Sequence, residues 1–124
     1  MFNDSGLYNH SRCILSLWTF WMNTDLEITT MRDSADQVVG ILKSLANTDR
    51  LIILCHLSQA ELNVSQIENL THIQQPTLSQ QLMMLRKSDV VSTRRDGKQI
   101  FYSIKDQNLV VILNTLYQLY CAKA

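Results

Sequence analysis

Glycine and proline are scarce in this sequence, which has three glycines and one proline among 124 residues. So few chain breakers exclude a loop-rich or collagen-like structure, and 46% hydrophobic residues are enough to fill a core, which excludes a disordered chain. The length accommodates one ordinary domain, because domains cluster around 100 to 150 residues. A two-domain enzyme is therefore excluded.

Cysteine and long hydrophobic runs are also infrequent. Three cysteines are too few for a disulfide scaffold, and the odd number fits free thiols in a reducing compartment. The apolar run Cys13–Met22 has ten residues, about half the length that a membrane span needs. No small-residue cleavage site follows this run, so a signal peptide is not predicted. We expect a cytoplasmic protein that does not bind membranes.

The whole chain has no net charge, but each half has an excess of one sign. Residues 1–70 contain four basic and eight acidic residues, a balance of −4, whereas residues 71–124 contain seven basic and three acidic residues, a balance of +4. A surface that binds a polyanion is therefore predicted in the second half.

Apolar periodicity and capping residues predict helices over most of the chain. The predicted helices are an amphipathic one from Asp33, a core helix after Asn47–Asp49, a short one capped by Asn63, a fourth over Gln74–Ser88, and a terminal one over Asp106–Cys121. The terminal helix is apolar on all sides, and the simplest surface that could cover its outer face is a second copy of the chain.

Two strand-like runs, Val90–Arg95 and Lys98–Ile104, are joined by Asp96–Gly97, and Asp-Gly is a strong signal for a two-residue hairpin turn. Together with the preceding helices, this hairpin predicts a mainly α fold with a small β-hairpin, the winged helix-turn-helix, as a homodimer. The hairpin is its wing. Three basic residues around the hairpin tip are candidates for contacts with phosphates or the minor groove: Arg94, Arg95 and Lys98.

The fourth helix presents short polar side chains opposite its leucine stripe. A major groove about 12 Å wide accepts one α-helix, and residues near the start of that helix read base edges. The candidate readers are Gln75, Thr77, Ser79 and Gln80. Each feature also has a simpler explanation, since a polar helix face is often only solvated and hairpin charges often protect sheet edges. Their order along the chain, with the positive excess confined to this half, favours binding to double-stranded DNA.

Three segments carry a family resemblance: Leu42–Asn47, Arg50–Leu54 and Thr77–Arg86. They resemble the ArsR/SmtB repressors, and the similarity extends over roughly residues 33–121. Membership would imply a homodimer, formed by the first and last helices, that binds an inverted-repeat operator and represses transcription until an inducer acts. Residues 33–124 would form this domain, and residues 1–32 an N-terminal extension.

The family's metal sites are not matched in this sequence. The thiolate site of the third helix would fall on residues 61–65, where Asn63 and Ser65 offer no soft ligand. The zinc site of the last helix needs histidine and carboxylates, but residues 106–121 contain no histidine and a single acidic residue, Asp106. We therefore assign no metal ligands and no cofactor.

Cys55 and Cys121 instead resemble the pair of the family's dithiol branch, the BigR/SqrR-type sensors of sulfide and persulfide. One cysteine would lie on the core helix and the other at the end of the terminal helix, so a covalent bridge would couple the two. A direct disulfide needs Cα atoms within about 7 Å, whereas inserted sulfur atoms lengthen the reach. The resemblance implies a repressor of sulfide-detoxification genes that a reactive sulfur species or another oxidant switches off. Taken alone, Cys55 would be a small buried hydrophobe and Cys121 an exposed thiol on a frayed helix end.

Two alternatives to this function stay open. The first keeps DNA binding but makes the inducer a metal held by Cys55 and Cys121, with or without His56 as a third ligand. The second is a winged-helix module that binds another protein. No arrangement of catalytic residues is visible, so an enzyme is not predicted.

The N-terminal extension has two interpretations. It is an additional helix that covers a dimer surface with its aromatic residues, or it is untranslated leader if translation starts at Met22 or Met31 and not at Met1. Cys13 lies in this segment, outside the family resemblance, and is given no role.

Overall fold

The structure is a computed structural model that describes residues 25–122. Its helices and strands follow in the order α1 (Asp25–Leu45), α2 (Thr48–Leu57), β1 (Leu62–Asn63), α3 (Val64–Thr71), α4 (Thr77–Lys87), β2 (Val91–Asp96), β3 (Gln99–Ile104) and α5 (Gln107–Tyr120). The chain divides into two compact units, Met1–Val39 and Gly40–Ala124. The described part of the first unit is the beginning of α1, and the second unit contains the remaining elements.

Helix α1 begins at Asp25, earlier than the predicted start at Asp33. The expected boundary between residues 32 and 33 therefore falls inside a helix. Residues 25–32 contain no glycine or proline, and each residue added to an existing helix gains a hydrogen bond, so the helix continues beyond its apolar stripe. The expectations for Cys13, Met22 and the aromatic run concern positions outside the described residues.

Side-chain caps start three of the helices, and the caps at Asn47 and Asn63 were predicted from the sequence. The Asn47 side chain accepts a hydrogen bond from a backbone N–H of the first turn of α2, and Asp106 does the same at α5. Asn63 and Gln66 form a reciprocal capping box at α3, with both N···O distances 2.9 Å. Each cap stabilises its helix by about 1 kcal/mol, and together they fix where the core helices begin.

The core lies in the second unit. Ile53 and Leu54 of α2 are fully buried at its centre, as their continuous apolar run predicted. The α4 stripe is buried beside them, and the whole core consists of Leu45, Ile53, Leu54, Leu57, Leu62, Ile67, Ile73, Leu78, Leu82, Leu85, Val90, Val91, Tyr102, Ile104, Leu109 and Leu113. In α3, helical periodicity predicts that Leu70 points inward with Ile67; Ile67 is fully buried, but Leu70 lies in the last turn and is 49% exposed.

The three strands form one antiparallel sheet in the order β1-β3-β2. The hairpin between β2 and β3 is confirmed, but its turn is shifted by one residue. Asp96 pairs with Gln99, so the two turn residues are Gly97 and Lys98, where Asp96 and Gly97 were expected. Gly97 has φ +65°, a conformation that costs glycine no steric strain, and it occupies the first turn position. Strand β1 has two residues, too few for any periodicity to predict it.

Helix α5 is buried on one side and apolar on the other. Leu109 and Leu113 belong to the core, while the large exposed side chains are Val111, Tyr117, Leu119 and Tyr120. Tyr120 is 73% exposed. None of the helices in residues 25–122 combines the length and the apolar character that crossing a membrane requires.

Candidate nucleic-acid interface and thiol pair

Helices α3 and α4 form the helix-turn-helix. Helix α3 ends at His72, whose φ of +61° is left-handed and reverses the chain, and its N–H still donates to the carbonyl of Glu68. Such a left-handed residue is a common way to end a helix. The leucine stripe of α4 then faces the core, so its opposite face reaches solvent. All four predicted readers lie on that exposed side: Gln75, Thr77, Ser79 and Gln80.

Gln75 and Ser79 are bound to each other. The Oε1 atom of Gln75 accepts a hydrogen bond from the Ser79 backbone N–H at 3.0 Å and another from the Ser79 hydroxyl at 2.6 Å. The N-cap residue Pro76 has no side-chain acceptor for the first N–H groups of α4, so the longer Gln75 side chain supplies one from the preceding position. The two residues are therefore pre-ordered at the start of α4, which the sequence did not predict.

Arg50 connects α4 to the end of α1. Its guanidinium donates to the carbonyl oxygens of Ser44 at 2.9 Å and Lys43 at 3.2 Å, which belong to the last turn of α1. It also donates to Oε1 of Gln81 on α4 at 3.1 Å. A positive charge is favourable at a helix C-terminus, and one side chain thereby fixes α4 relative to this turn. The sequence carried no signal for this role, because its partners are six to 31 residues away.

The three basic residues of the wing do not share one environment. Arg94 and Arg95 are adjacent on β2, so their side chains point to opposite faces of the sheet. Arg94 donates from Nε to Glu61 at 2.8 Å, and its Cζ lies 4.6 Å from the centre of the Phe101 ring. Hydrogen bonding to Glu61 raises the pKa of Arg94 above its usual value.

Arg95 and Lys98 are exposed, and neither side chain has a hydrogen-bond or ion-pair partner within residues 25–122. Lys98 occupies the turn itself. These two cations are therefore available to an external anion, whereas Arg94 has a carboxylate partner in its own chain. The pairing of Arg94 with a residue 33 positions away could not be seen in the sequence.

The two cysteines lie on neighbouring helices. Cys55 is half-buried on α2, against the core, and Cys121 is the exposed C-cap of α5, which packs against α2. Burial is the main reason why the pKa of the Cys55 thiol is raised above its usual 9.0, and the negative charge of a Cys121 thiolate is the second. Both cysteines are free thiols.

A three-ligand metal site is not assembled around these thiols. Across residues 25–122, no three side chains of His, Cys, Asp or Glu lie close enough together to hold a metal ion. His56 is adjacent to Cys55 on α2, and consecutive helical residues point about 100° apart. The arrangement therefore does not fit the metal alternative that used Cys55, Cys121 and His56.

The second unit has the architecture of a winged helix-turn-helix protein, with α3 and α4 as the helix-turn-helix and the β2–β3 hairpin as the wing. Residues 47–93 match the family described as bacterial regulatory protein, arsR family. The chain is 40% identical over 98 residues to the biofilm growth-associated repressor of Agrobacterium fabrum, an alignment that covers 79% of this chain and 84% of that protein.

Solved structures agree with this classification. The crystal structure of the transcriptional repressor BigR from Xylella fastidiosa is similar with a TM-score of 0.71 and 41% identity, over 77% of this chain and 97% of that one. A solution structure of a homodimeric winged helix-turn-helix DNA-binding domain from Mycobacterium bovis is similar with a TM-score of 0.62 and 28% identity, over 79% of this chain and 87% of that one. The chain belongs to the arsR family of bacterial regulatory proteins, whose members are DNA-binding transcription regulators.

Proposed function

We propose that this protein is a homodimeric transcriptional repressor that binds an inverted-repeat operator when its thiols are reduced. The observation that carries the DNA-binding mode is the exposed polar start of α4, opposite a fully buried leucine stripe. Placed in a major groove, this end of α4 presents Gln75, Thr77, Ser79 and Gln80 to base edges. Similarity to proteins described as repressors supports the direction of regulation.

The wing supplies contacts with phosphates. Arg95 and Lys98 are free to neutralise backbone phosphates or to enter a minor groove. Arg94 acts differently in this proposal: its ion pair with Glu61 and its position over Phe101 hold β2 against the start of β1. Arg94 therefore stiffens the wing, whereas Arg95 and Lys98 supply positive charges that are unpaired among the described residues.

A second copy of the chain covers the outer face of α5. Its large exposed side chains include Val111, Tyr117 and Leu119, each more than half exposed, and apolar surface of this size is costly to leave in water. The homodimeric state of a similar domain supports the same arrangement. Two-fold symmetry then explains why the operator should be an inverted repeat.

The switch is the Cys55/Cys121 pair. The Cys121 thiolate is exposed and attacks the outer sulfur of a small-molecule persulfide, which leaves a Cys121 persulfide and releases the donor as a thiol. The Cys55 thiolate then attacks the inner sulfur of Cys121, forming a disulfide and expelling hydrosulfide. The two thiols lose two electrons and the transferred sulfur gains them, so no further oxidant is needed.

The disulfide links α2 to α5. Because Arg50 on α2 donates a hydrogen bond to Gln81 on α4, a shift of α2 is coupled to the position of the DNA-reading helix. Because the proposed inducer is a reactive sulfur species, we expect the repressed genes to include genes for sulfide detoxification. The raised pKa of Cys55 makes its thiolate scarcer than that of a free cysteine, which favours the exposed Cys121 as the first nucleophile.

One experiment tests the switch. The reduced protein is treated with a persulfide, and separately with peroxide, and each sample is divided between mass spectrometry and a DNA-shift assay. The proposal expects loss of DNA binding together with a product whose mass corresponds to a Cys55–Cys121 bridge. Release from DNA without any bridge would contradict it. Anaerobic purification followed by metal analysis tests the metal alternative. The absence of any salt-dependent DNA affinity in the reduced protein would favour the protein-interaction alternative.

A further inference from the structure

The amide oxygen of the Gln75 side chain is hydrogen-bonded within the described residues, whereas its amide nitrogen is not. A carboxamide oxygen has two lone pairs, and both are engaged by Ser79, one by its backbone N–H and one by its hydroxyl. The Nε2 group has no hydrogen-bond partner within residues 25–122, and the residue is exposed. The orientation of the amide is chemically fixed, because a backbone N–H requires an acceptor opposite it. Gln75 therefore offers only donors to a partner outside the chain.

Gln80, one turn further along α4, lacks this restriction. Its side chain has no hydrogen-bond partner in the described part of the chain, so both its oxygen and its nitrogen are available. A glutamine with both groups free can pair with the N6 amino group and N7 of adenine. Gln75 could do so only by breaking both bonds to Ser79.

Guanine is the base whose major-groove edge suits a pure donor, because it offers two acceptors, O6 and N7. We infer that Gln75 is a donor-only specificity residue that selects guanine over adenine, and that Ser79 sets this preference by occupying the Gln75 oxygen. This inference rests on the proposed binding of α4 in the major groove and adds to it the base class that one residue reads. Ser79 is here a positioning residue.

The test uses the full-length reduced protein and a duplex that it selects from a random library. Each guanine of the selected site is replaced in turn by 7-deazaguanine, which lacks the N7 acceptor, and binding is measured for the wild type and for Gln75→Glu. Glutamate keeps an acceptor for Ser79 and the start of α4, but it has no N–H. Gln74→Glu introduces the same charge at the neighbouring exposed residue, which is given no role in DNA binding, and serves as the matched control.

We expect one guanine per half-site at which 7-deaza substitution weakens binding by the wild type and by the Gln74→Glu protein about fivefold or more. The same substitution should have no effect on Gln75→Glu. If that variant instead weakens selected and random DNA equally and remains sensitive to every 7-deaza substitution, its contact is to a phosphate and the inference is wrong. The inference is also wrong if replacing an adenine by purine, which lacks the N6 amino group, abolishes the difference in DNA affinity between the wild type and Gln75→Glu.

Variants of Ser79 test its positioning role. Ser79→Ala removes one of the two donors that occupy the Gln75 oxygen, so discrimination between guanine and adenine at that base pair should narrow, and Ser79→Thr should restore it. Unchanged discrimination in Ser79→Ala would contradict the role. The wild type tests the proposed function separately from the role of Gln75. If the reduced wild-type protein does not prefer selected over random DNA, the proposed function itself is contradicted.

Discussion

Replacement of Arg95 by glutamine gives a quantitative test of how the wing contributes to DNA binding. Each phosphate that a cation neutralises contributes about 0.9 to the slope of log affinity against log salt concentration. If Arg95 contacts one phosphate in each half of a dimer, Arg95→Gln should make this slope shallower by about 1.8. Between about 50 and 200 mM salt, a fourfold increase, the wild type should lose about 12-fold more affinity than the variant.

The matched control is Arg94→Gln, which removes the same charge from the adjacent residue. Because Arg94 is paired with Glu61 at 2.8 Å, its removal should leave the slope nearly unchanged, whereas Glu61→Gln should release the guanidinium and steepen it. Fluorescence anisotropy with a labelled duplex at five or more salt concentrations measures all four proteins. Equal flattening by Arg94→Gln and Arg95→Gln would refute the distinction between a stiffening and a contacting arginine.

Further predictions concern the thiols, the core and the N-terminus. Cys55→Ser and Cys121→Ser should both bind DNA when reduced and lose the persulfide response, but only Cys55→Ser should accumulate an open persulfide, detected by mass spectrometry. Alkylation of Cys55 should accelerate as the pH rises, with a midpoint above 9.0, since its raised pKa means that the thiolate forms later than in a free cysteine; a midpoint below 9.0 would contradict this. Arg50→Met removes three side-chain hydrogen bonds and should lower the free energy of unfolding by about 2 kcal/mol, with a smaller loss for Gln81→Met, measured in urea. A chain that starts at Met22 retains all of α1 from Asp25 and should dimerise and bind DNA like the full chain; aggregation of this truncation would assign a structural role to the removed residues.

The sequence predicted the helices and their caps well because those signals are local. Asn47 and Asn63 each start a helix by accepting a bond from a backbone N–H three residues away, and such spacing can be read directly. The hairpin was also predicted, but its turn was displaced by one residue. Asp-Gly suggests the turn without fixing which two residues occupy it; strand register decides that, and here Asp96 pairs with Gln99.

The sequence predicted that the candidate DNA-reading residues are exposed, but it did not predict their contacts. Gln75 and Ser79 were identified as exposed, yet the bond between them depends on Pro76, an N-cap residue that has no side-chain acceptor. That pairing follows an i, i+4 spacing and could have been found from the sequence. The contact between Arg94 and Glu61 could not, because it depends on how β1 is placed against the wing.

In the proposed mechanism, the protein binds its operator when Cys55 and Cys121 are thiols and releases it when they are bridged. This mechanism is tested most directly by a single titration of a persulfide into the reduced protein on a labelled, selected duplex, with aliquots analysed by mass spectrometry at each point. The account predicts that the fraction of DNA released equals the fraction of protein carrying the intramolecular bridge, and that a thiol reductant reverses both together. Full release before any bridge forms, or full bridging while the DNA stays bound, would contradict it.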